Sequence, residues 1–249
     1  YYHIERPNLP NARNFGVRHA RGDVVLFIDD DVVLDPDIIT QHINAYDDPT
    51  VGGVAGRRTF PYPNGDDDNG AIGAVNEKGG IVTNFSAETP IDSVDWASGC
   101  HMSFRRSLII EVGGFSVHHI GTAVYEDVDF CLRLKAHGYR IRFYPKAHLV
   151  HLREVNGGAG TRRYNKYYFY TSAHNRALFF LKHFPIYRLP LLYARHWYAE
   201  LREVVETRRF SHIGLLVVAY LQAHLLSQWQ YQLAHRRFSK TLHNPTQPA

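Results

Sequence analysis

Residues 24–31 read Val-Val-Leu-Phe-Ile-Asp-Asp-Asp, five apolar residues that run straight into three consecutive carboxylates. The apolar run predicts a buried strand, which puts the acids at its C-terminal end, where an open α/β sheet keeps its ligand crevice. Three adjacent carboxylates repel one another, and a divalent cation relieves that repulsion without uptake of protons. Asp29 and Asp31 alternate along an extended chain, so both can point to one side. The plain alternative is a solvated acidic turn, which has no need of so apolar a strand before it.

Upstream, residues 8–20 predict a helix with Asn8 as N-cap and Pro10 in the first turn. Its polar residues Arg13 and Asn14 could reach a phosphate or a base, or simply be solvated. Downstream, Asp35-Pro36 predicts an N-cap and first-turn proline, opening a helix to about Tyr46 with Ile38, Ile39, His42 and Ile43 facing inward. Residues 51–58 predict the next strand, and residues 61–90, with Asn-Gly-Asp-Asp-Asp-Asn-Gly, a long loop. Residues 93–104 predict a strand interrupted at Gly99. There Trp96 either walls a pocket, beside a glycine that lets backbone approach a ligand, or is a core aromatic. Residues 105–112 predict a short helix closed by Gly113 and Gly114.

A second acidic focus follows at residues 125–139, Y-E-D-V-D-F-C-L-R-L-K-A-H-G-Y. Val128, Phe130, Leu132 and Leu134 form the apolar side of a helix that stops at Gly138, with Glu126 and Asp127 in its first turn, where carboxylates complement the helix dipole. Residues 140–143 and 147–152 predict two short strands separated by Pro145. His148 and His151 fall on opposite sides of an extended segment, so at most one faces the acids. Beyond a joint at residues 157–160 the pattern turns helical, at about 162–183, 186–207 and 211–237. The last helix contains I-G-L-L-V-V-A-Y-L, apolar nearly all round, and packs in a helical cluster or lies at a membrane interface.

The chain of 249 residues is long enough for one sizeable core, or a core with an appendage, and 45% hydrophobic with 21% charged residues is an ordinary globular composition. Two cysteines, Cys100 and Cys131, far apart and without metal-ligand spacing, are too few for a disulfide framework and point to a reducing compartment. No apolar run reaches the length of a membrane span, and no signal peptide opens the chain. The opening residues Y-Y-H-I-E-R-P-N read as the interior of a domain, so upstream sequence is expected. Residues 160–249 carry 13 Lys and Arg against 3 Glu, and residues 1–159 carry 15 against 21 acids. An acidic front half suits a metal site, and a basic, aromatic back half suits an anionic lipid surface. With no nucleic-acid-binding motif, nucleic acid is not expected as a partner.

Together the pieces resemble the family 2 glycosyltransferases of the GT-A fold. The matching parts are A-R-N-x-G at 12–16, G-D-V-V-L-F-I-D-D-D at 22–31, W-A-S-G at 96–99, G-G-F at 113–115, E-D-V-D-F at 126–130 and A-H-L-V-H at 147–151. H-N-R at 174–176 resembles the segment that follows this domain in many such enzymes. The resemblance implies an α/β fold, the Rossmann-like GT-A mixed sheet flanked by helices. It divides the chain into a catalytic domain over 1–156, lacking its N-terminal strand, and a helical C-terminal region over 161–249.

The same resemblance implies a metal-dependent inverting transfer of a sugar, hexosyl or rhamnosyl, from a nucleotide-diphosphate donor to a saccharide or lipid-linked acceptor. Asp29 and Asp31 would form the D-x-D that holds Mg²⁺ or Mn²⁺, with His151, over His148, as third protein ligand. Asp29, Asp30, Asp31, Arg13 and Asn14 would line the nucleotide side. Asp127 would be the general base, with Glu126 contacting the acceptor or orienting the base, and Trp96 and Gly99 on the acceptor side. Such a transferase is expected in the cytoplasm at the inner membrane face. Because the strand that reads the nucleotide base is expected upstream of Tyr1, residues 1–249 alone are expected to bind donor poorly. Two rivals remain: a haloacid dehalogenase-like phosphatase with Asp29 as nucleophile, since I-D-D-D-V-V also fits that strand end, and a non-catalytic, membrane-associated subunit of the same fold.

Overall fold

The computed structural model describes residues 2–4, 8–62, 71–152 and 166–243. The segment around Asp66 and Asp68, the joint at 157–160 and the polar tail from Asn244 lie outside them.

The first helix, α1 (Leu9–His19), begins as its sequence requires: the Asn8 side chain accepts the Asn11 N–H at 2.8 Å, and a proline occupies the first turn. Strand β1 (Val24–Ile28) leads into the acids, and β2 (Val32–Leu34), α2 (Ile38–Asn44) and β3 (Val51–Thr59) follow. A small hairpin, β4 (Ala74–Val75) and β5 (Ile81–Val82), gives order to part of what reads as a long loop. Then come β6 (Ile91–Val94), β7 (His101–Arg105), α3 (Arg106–Glu111), α4 (Glu126–Ala136) and β8 (Arg140–His151). The helical region consists of α5 (Lys166–His183), α6 (Leu189–Glu206) and α7 (His212–His243).

One mixed sheet holds the order β1-β7-β3-β8-β2, with β6 also paired to β8. β1 and β3 both run antiparallel to β7, and β8 runs parallel to β3, so the C-terminal ends of β1, β3 and β8 and the N-terminal end of β7 share one edge. This convergence builds the site. Ile28 pairs with His101, which brings Asp29 opposite Cys100, and Val32 pairs with His151, which brings the acids against the end of β8.

Several expectations change. β1 is a half-buried edge strand, not a fully buried one, and among the described residues only β7 pairs with it. β8 is a single strand, because a register shift between Gly56 and Arg57 absorbs Pro145 as a bulge. α2 starts at Ile38, since the Asp35 carboxylate is taken by His148 Nδ1 at 2.9 Å and does not cap the helix. Its inner face is narrower than the periodicity implies: Ile38 and His42 are buried, whereas Ile39 and Ile43 are exposed.

The main core lies between the sheet and α4, where Phe104, Phe115, Phe130 and Phe143 meet, and Phe179 and Phe180 of α5 enter the same core. A second cluster packs Ala173 and Ala177 of α5 against Leu216, Ala219 and Ala223 of α7. No helix among the described residues is long and apolar enough to cross a membrane.

The α4–α5 junction turns on Asp129, fully buried and facing His183 Nε2 at 2.9 Å, Arg133 at 3.1 Å and Lys182 at 3.4 Å. Burial opposes its ionisation, but the His183 hydrogen bond and the Lys182 and Arg133 charges prevail and hold the carboxyl far below its ordinary value. A depressed carboxyl contributes stability above the unfolded-state value and loses it as pH falls through the folded one. Asp129→Asn is therefore expected to lower unfolding free energy by roughly 3 kcal/mol at neutral pH, since it removes the carboxylate that His183, Arg133 and Lys182 face. In urea titrations the gap to wild type should narrow as pH drops below the ordinary carboxylate range.

Candidate active site

At the shared sheet edge, His151 Nε2 lies 3.3 Å from Asp29 Oδ2 and 3.2 Å from Asp31 Oδ1. Phe60 packs edge-on against the His151 ring at 5.9 Å. His148 is turned elsewhere, its Nε2 on Thr59 Oγ1 and its Nδ1 on Asp35, both at 2.9 Å. The bulge decides which histidine faces the acids. Asp30 is exposed on the same turn.

Two further residues meet this edge. Cys100 offers its Sγ beside Asp29 and His151, the three ligand atoms lying within 4.8 Å of one another. Arg58, near the end of β3, donates through Nη1 to Ser98 Oγ at 2.8 Å, and its Nε finds no hydrogen-bond partner among the described residues. Neither is signalled by sequence spacing, since Cys100 reaches Asp29 through the register of β7, and Arg58 reaches Cys100 from the end of β3.

A cation ringed by nitrogen and oxygen donors at about 2.1 Å keeps them a little over 3 Å apart. His151 Nε2 has that spacing to each carboxylate, and the donor atoms that lie together within 4.8 Å are those of Asp29, His151 and Cys100, a set suited to first-row divalent ions. The residues fit a divalent metal.

The second half of the site opens α4. Tyr125, at its N-cap, holds a left-handed φ of 72°, and Ala123 before it is also left-handed at 54°. Asp127, in the first turn, accepts the Gly99 N–H on Oδ2 and the Val128 N–H on Oδ1, both at 2.9 Å. Burial raises its pKa above the ordinary value, against the opposing pull of the Arg13 charge and the backbone donors. Gly99 thus joins this half to Cys100, its neighbour in the chain.

Four expected contacts turn inward. Arg13, 8% exposed, forms a buried ion pair with Glu126, itself 3% exposed, and donates to the Gly99 carbonyl at 3.1 Å. Asn14 uses its amide on the Phe115 backbone, donating to the carbonyl at 2.7 Å and accepting the N–H at 2.8 Å. Trp96, 6% exposed, donates to the Val82 carbonyl at 3.2 Å and packs edge-on to Phe85, so it is a core residue. Glu126 sits too deep to meet an acceptor, and its Oε2 has no partner among the described residues. These side chains hold the site; they do not line it.

Residues 24–235 match the family described as glycosyl transferase family group 2. Similar curated proteins include a pre-mycofactocin glycosyltransferase of Mycobacterium tuberculosis, 30% identical over 56% of this chain and 29% of that protein. A poly-beta-1,6-N-acetyl-D-glucosamine synthase of Staphylococcus aureus is 29% identical over 57% of this chain and 34% of that one. The match spans about a third or less of these relatives' length. Among solved structures, a mannosyltransferase from Pyrobaculum calidifontis in complex with GDP-Man and Mn²⁺ superposes with a TM-score of 0.50 at 19% identity, over 97% of this chain and 62% of that one. GalNAc-T7 with UDP, GalNAc and Mn²⁺ gives 0.51 at 17% identity, over 78% and 42%. At such identities the likeness establishes the fold, that of the GT-A enzymes.

The buried Arg13–Glu126 pair supports the site through mutual neutralisation, so removing one partner is costly and removing both is much less so. Arg13→Met is expected to lower unfolding free energy by about 3–5 kcal/mol. Adding Glu126→Gln should recover a large part of that loss in a denaturant double-mutant cycle.

Proposed function

The chain belongs to glycosyl transferase family group 2, and on that premise we propose that it carries the catalytic centre of an inverting, metal-dependent glycosyltransferase. Its donor is a nucleotide-diphosphate sugar, hexosyl or rhamnosyl, and its acceptor a hydroxyl of a saccharide or lipid-linked saccharide. One observation carries the reading: Asp29, Asp31 and His151 converge at one sheet edge, and Asp127 is hydrogen-bonded to the glycine next to that cluster. The Mn²⁺ and nucleotide components of the two structural relatives lend support. Family membership displaces the phosphatase alternative.

Asp29, Asp31 and His151 would hold Mg²⁺ or Mn²⁺, which supplies Lewis-acid stabilisation of the charge developing on the departing diphosphate oxygen. Arg58 adds a fixed positive charge at the same edge, and Asp30, exposed beside it, lines the donor side. Asp127 takes the proton from the acceptor hydroxyl as that oxygen attacks the anomeric carbon. Raised above a solvated carboxylate, it is the stronger base. Its two backbone hydrogen bonds fix its rotamer, so it arrives positioned. With base and departing diphosphate on opposite faces of the sugar, one displacement inverts the anomeric centre. Glu126 and Arg13 act as positioning residues beneath it.

The helical region, taken as residues 161–249, is assigned to an anionic membrane surface at the cytoplasmic face. The support is an exposed aliphatic stripe on α7, Ile213, Val217, Val218, Leu221 and Leu225, with exposed Arg195 and Arg208 nearby in sequence.

The direct test is a screen of sugar nucleotides for chelator-sensitive turnover by the full chain. Asp127→Asn is expected to lower kcat by about 10²–10⁴. A carboxyl with a raised folded value opposes folding once ionised, so this variant should melt no lower than wild type at neutral pH. The acid limb of the kcat/KM profile should sit above the ordinary carboxylate value and disappear in the variant. Wild-type turnover by Asp127→Asn would refute the base assignment.

A further inference from the structure

The two cysteines have different surroundings. Cys131 is wholly buried on α4, accepts the Ala97 N–H at 3.4 Å, and has its thiol pKa pushed up by burial. Cys100 stands at the mouth of β7, where the Ile28–His101 register sets it opposite Asp29. Its sulfur lies 3.4 Å from Arg58 Nη1, which donates to it, and 3.4 Å from Ser98 Oγ. The same sulfur shares a sphere of 4.8 Å with ligand atoms of Asp29 and His151. A sulfur that faces a guanidinium on one side and a carboxylate–imidazole pair on the other is placed for a cation-bound thiolate rather than for apolar packing.

We propose that Cys100 Sγ is a direct ligand of the divalent cation, so that Asp29, His151 and Cys100 form a mixed oxygen, nitrogen and sulfur centre. The inference rests on the metal-dependent reading above and deepens it. On binding, the S–H bond gives way to a metal–sulfur bond and the proton leaves to solvent. The consequence is selectivity. Mg²⁺ demands hard oxygen donors and an octahedral shell, whereas thiolate favours Zn²⁺, Co²⁺ and Cd²⁺. The centre should therefore prefer thiophilic ions over Mg²⁺ by more than a carboxylate and imidazole set would. Arg58, donating to the same sulfur, does not compete as a ligand, since a guanidinium has no lone pair to offer.

Cobalt(II) tests this, because its visible d–d bands report binding of any kind, while a sulfur-to-cobalt charge-transfer band in the near ultraviolet reports the thiolate alone. The full chain is titrated with Co²⁺, alone and with inorganic pyrophosphate, as wild type, Cys131→Ser, Cys100→Ser and Asp29→Asn. Expected are both sets of bands in wild type and Cys131→Ser, d–d bands without charge transfer in Cys100→Ser, and weakened binding throughout in Asp29→Asn. In competition against Co²⁺, Cys100→Ser should weaken Cd²⁺ binding about tenfold or more and change Mg²⁺ binding far less. Should Cys100→Ser fail to fold, the charge-transfer band in wild type and its survival in Cys131→Ser still decide the matter. Wild-type d–d bands with no charge transfer would overturn the sulfur ligand and leave the cation reading standing. No cobalt bands under either condition would overturn both.

Discussion

Burying a guanidinium is costly unless anions and carbonyls face it, and the centre is arranged around that requirement at Arg13. Its side chain pairs with Glu126, donates to the Gly99 carbonyl, and lies 5.8 Å and 5.4 Å from the Phe27 and Phe115 rings. It also lies within electrostatic reach of both Asp127 and Asp29. One residue of α1 therefore registers β1, the loop before β7 and the start of α4 against one another. At the crossing a Cβ on Gly99 would stand 2.5 Å from Arg13 Nη2, so any larger residue there would displace the guanidinium. The distance between the acid edge and Asp127 is thus set from beneath by an ion pair that solvent does not reach.

That arrangement also explains why the two halves differ electrostatically. Asp29 stands exposed at the sheet edge and shares His151 with Asp31. Asp127 is held in a desolvated niche, where its charge is tolerated only because Arg13 and two backbone N–H groups face it. The carboxyls of the two halves thus stand in unlike surroundings, one set at a solvent-facing edge and the other in a desolvated niche.

What could be read from the sequence is what local chemistry dictates. The strand running into acids, the Asn8 cap and the glycine stop after α4 all follow from neighbours within a few residues, and the structure contains them. The direction of a side chain across the fold does not follow so directly. Arg13 and Asn14 read as polar residues on a helix and turn out to face the core, because their partners, Glu126 and Phe115, come from distant segments. Cys100 is invisible to ligand-spacing rules for the same reason: sheet register, not sequence proximity, brings it to Asp29. Pro145 reads as a break between strands, yet a bulge accommodates it and, in doing so, turns His151 rather than His148 toward the acids.

The helical region is bound into the same logic. Tyr125 precedes the first turn of α4 in a left-handed conformation that a tyrosine adopts only under constraint. The constraint comes from α5: Phe179 stacks on the ring at 5.0 Å, and Arg176 Nε donates to its hydroxyl at 3.2 Å. Asn175 grips the same loop, donating to the Ile120 carbonyl and accepting its N–H, each at 2.9 Å. Arg176 in turn forms a part-buried ion pair with Glu200 of α6. With His174 Nε2 3.2 Å from the His118 carbonyl, His174, Asn175 and Arg176 clamp the loop that leads into α4. Strain of this kind persists only where surrounding packing over-determines it, so α5 and, through Arg176, α6 help to hold the loop that leads into α4.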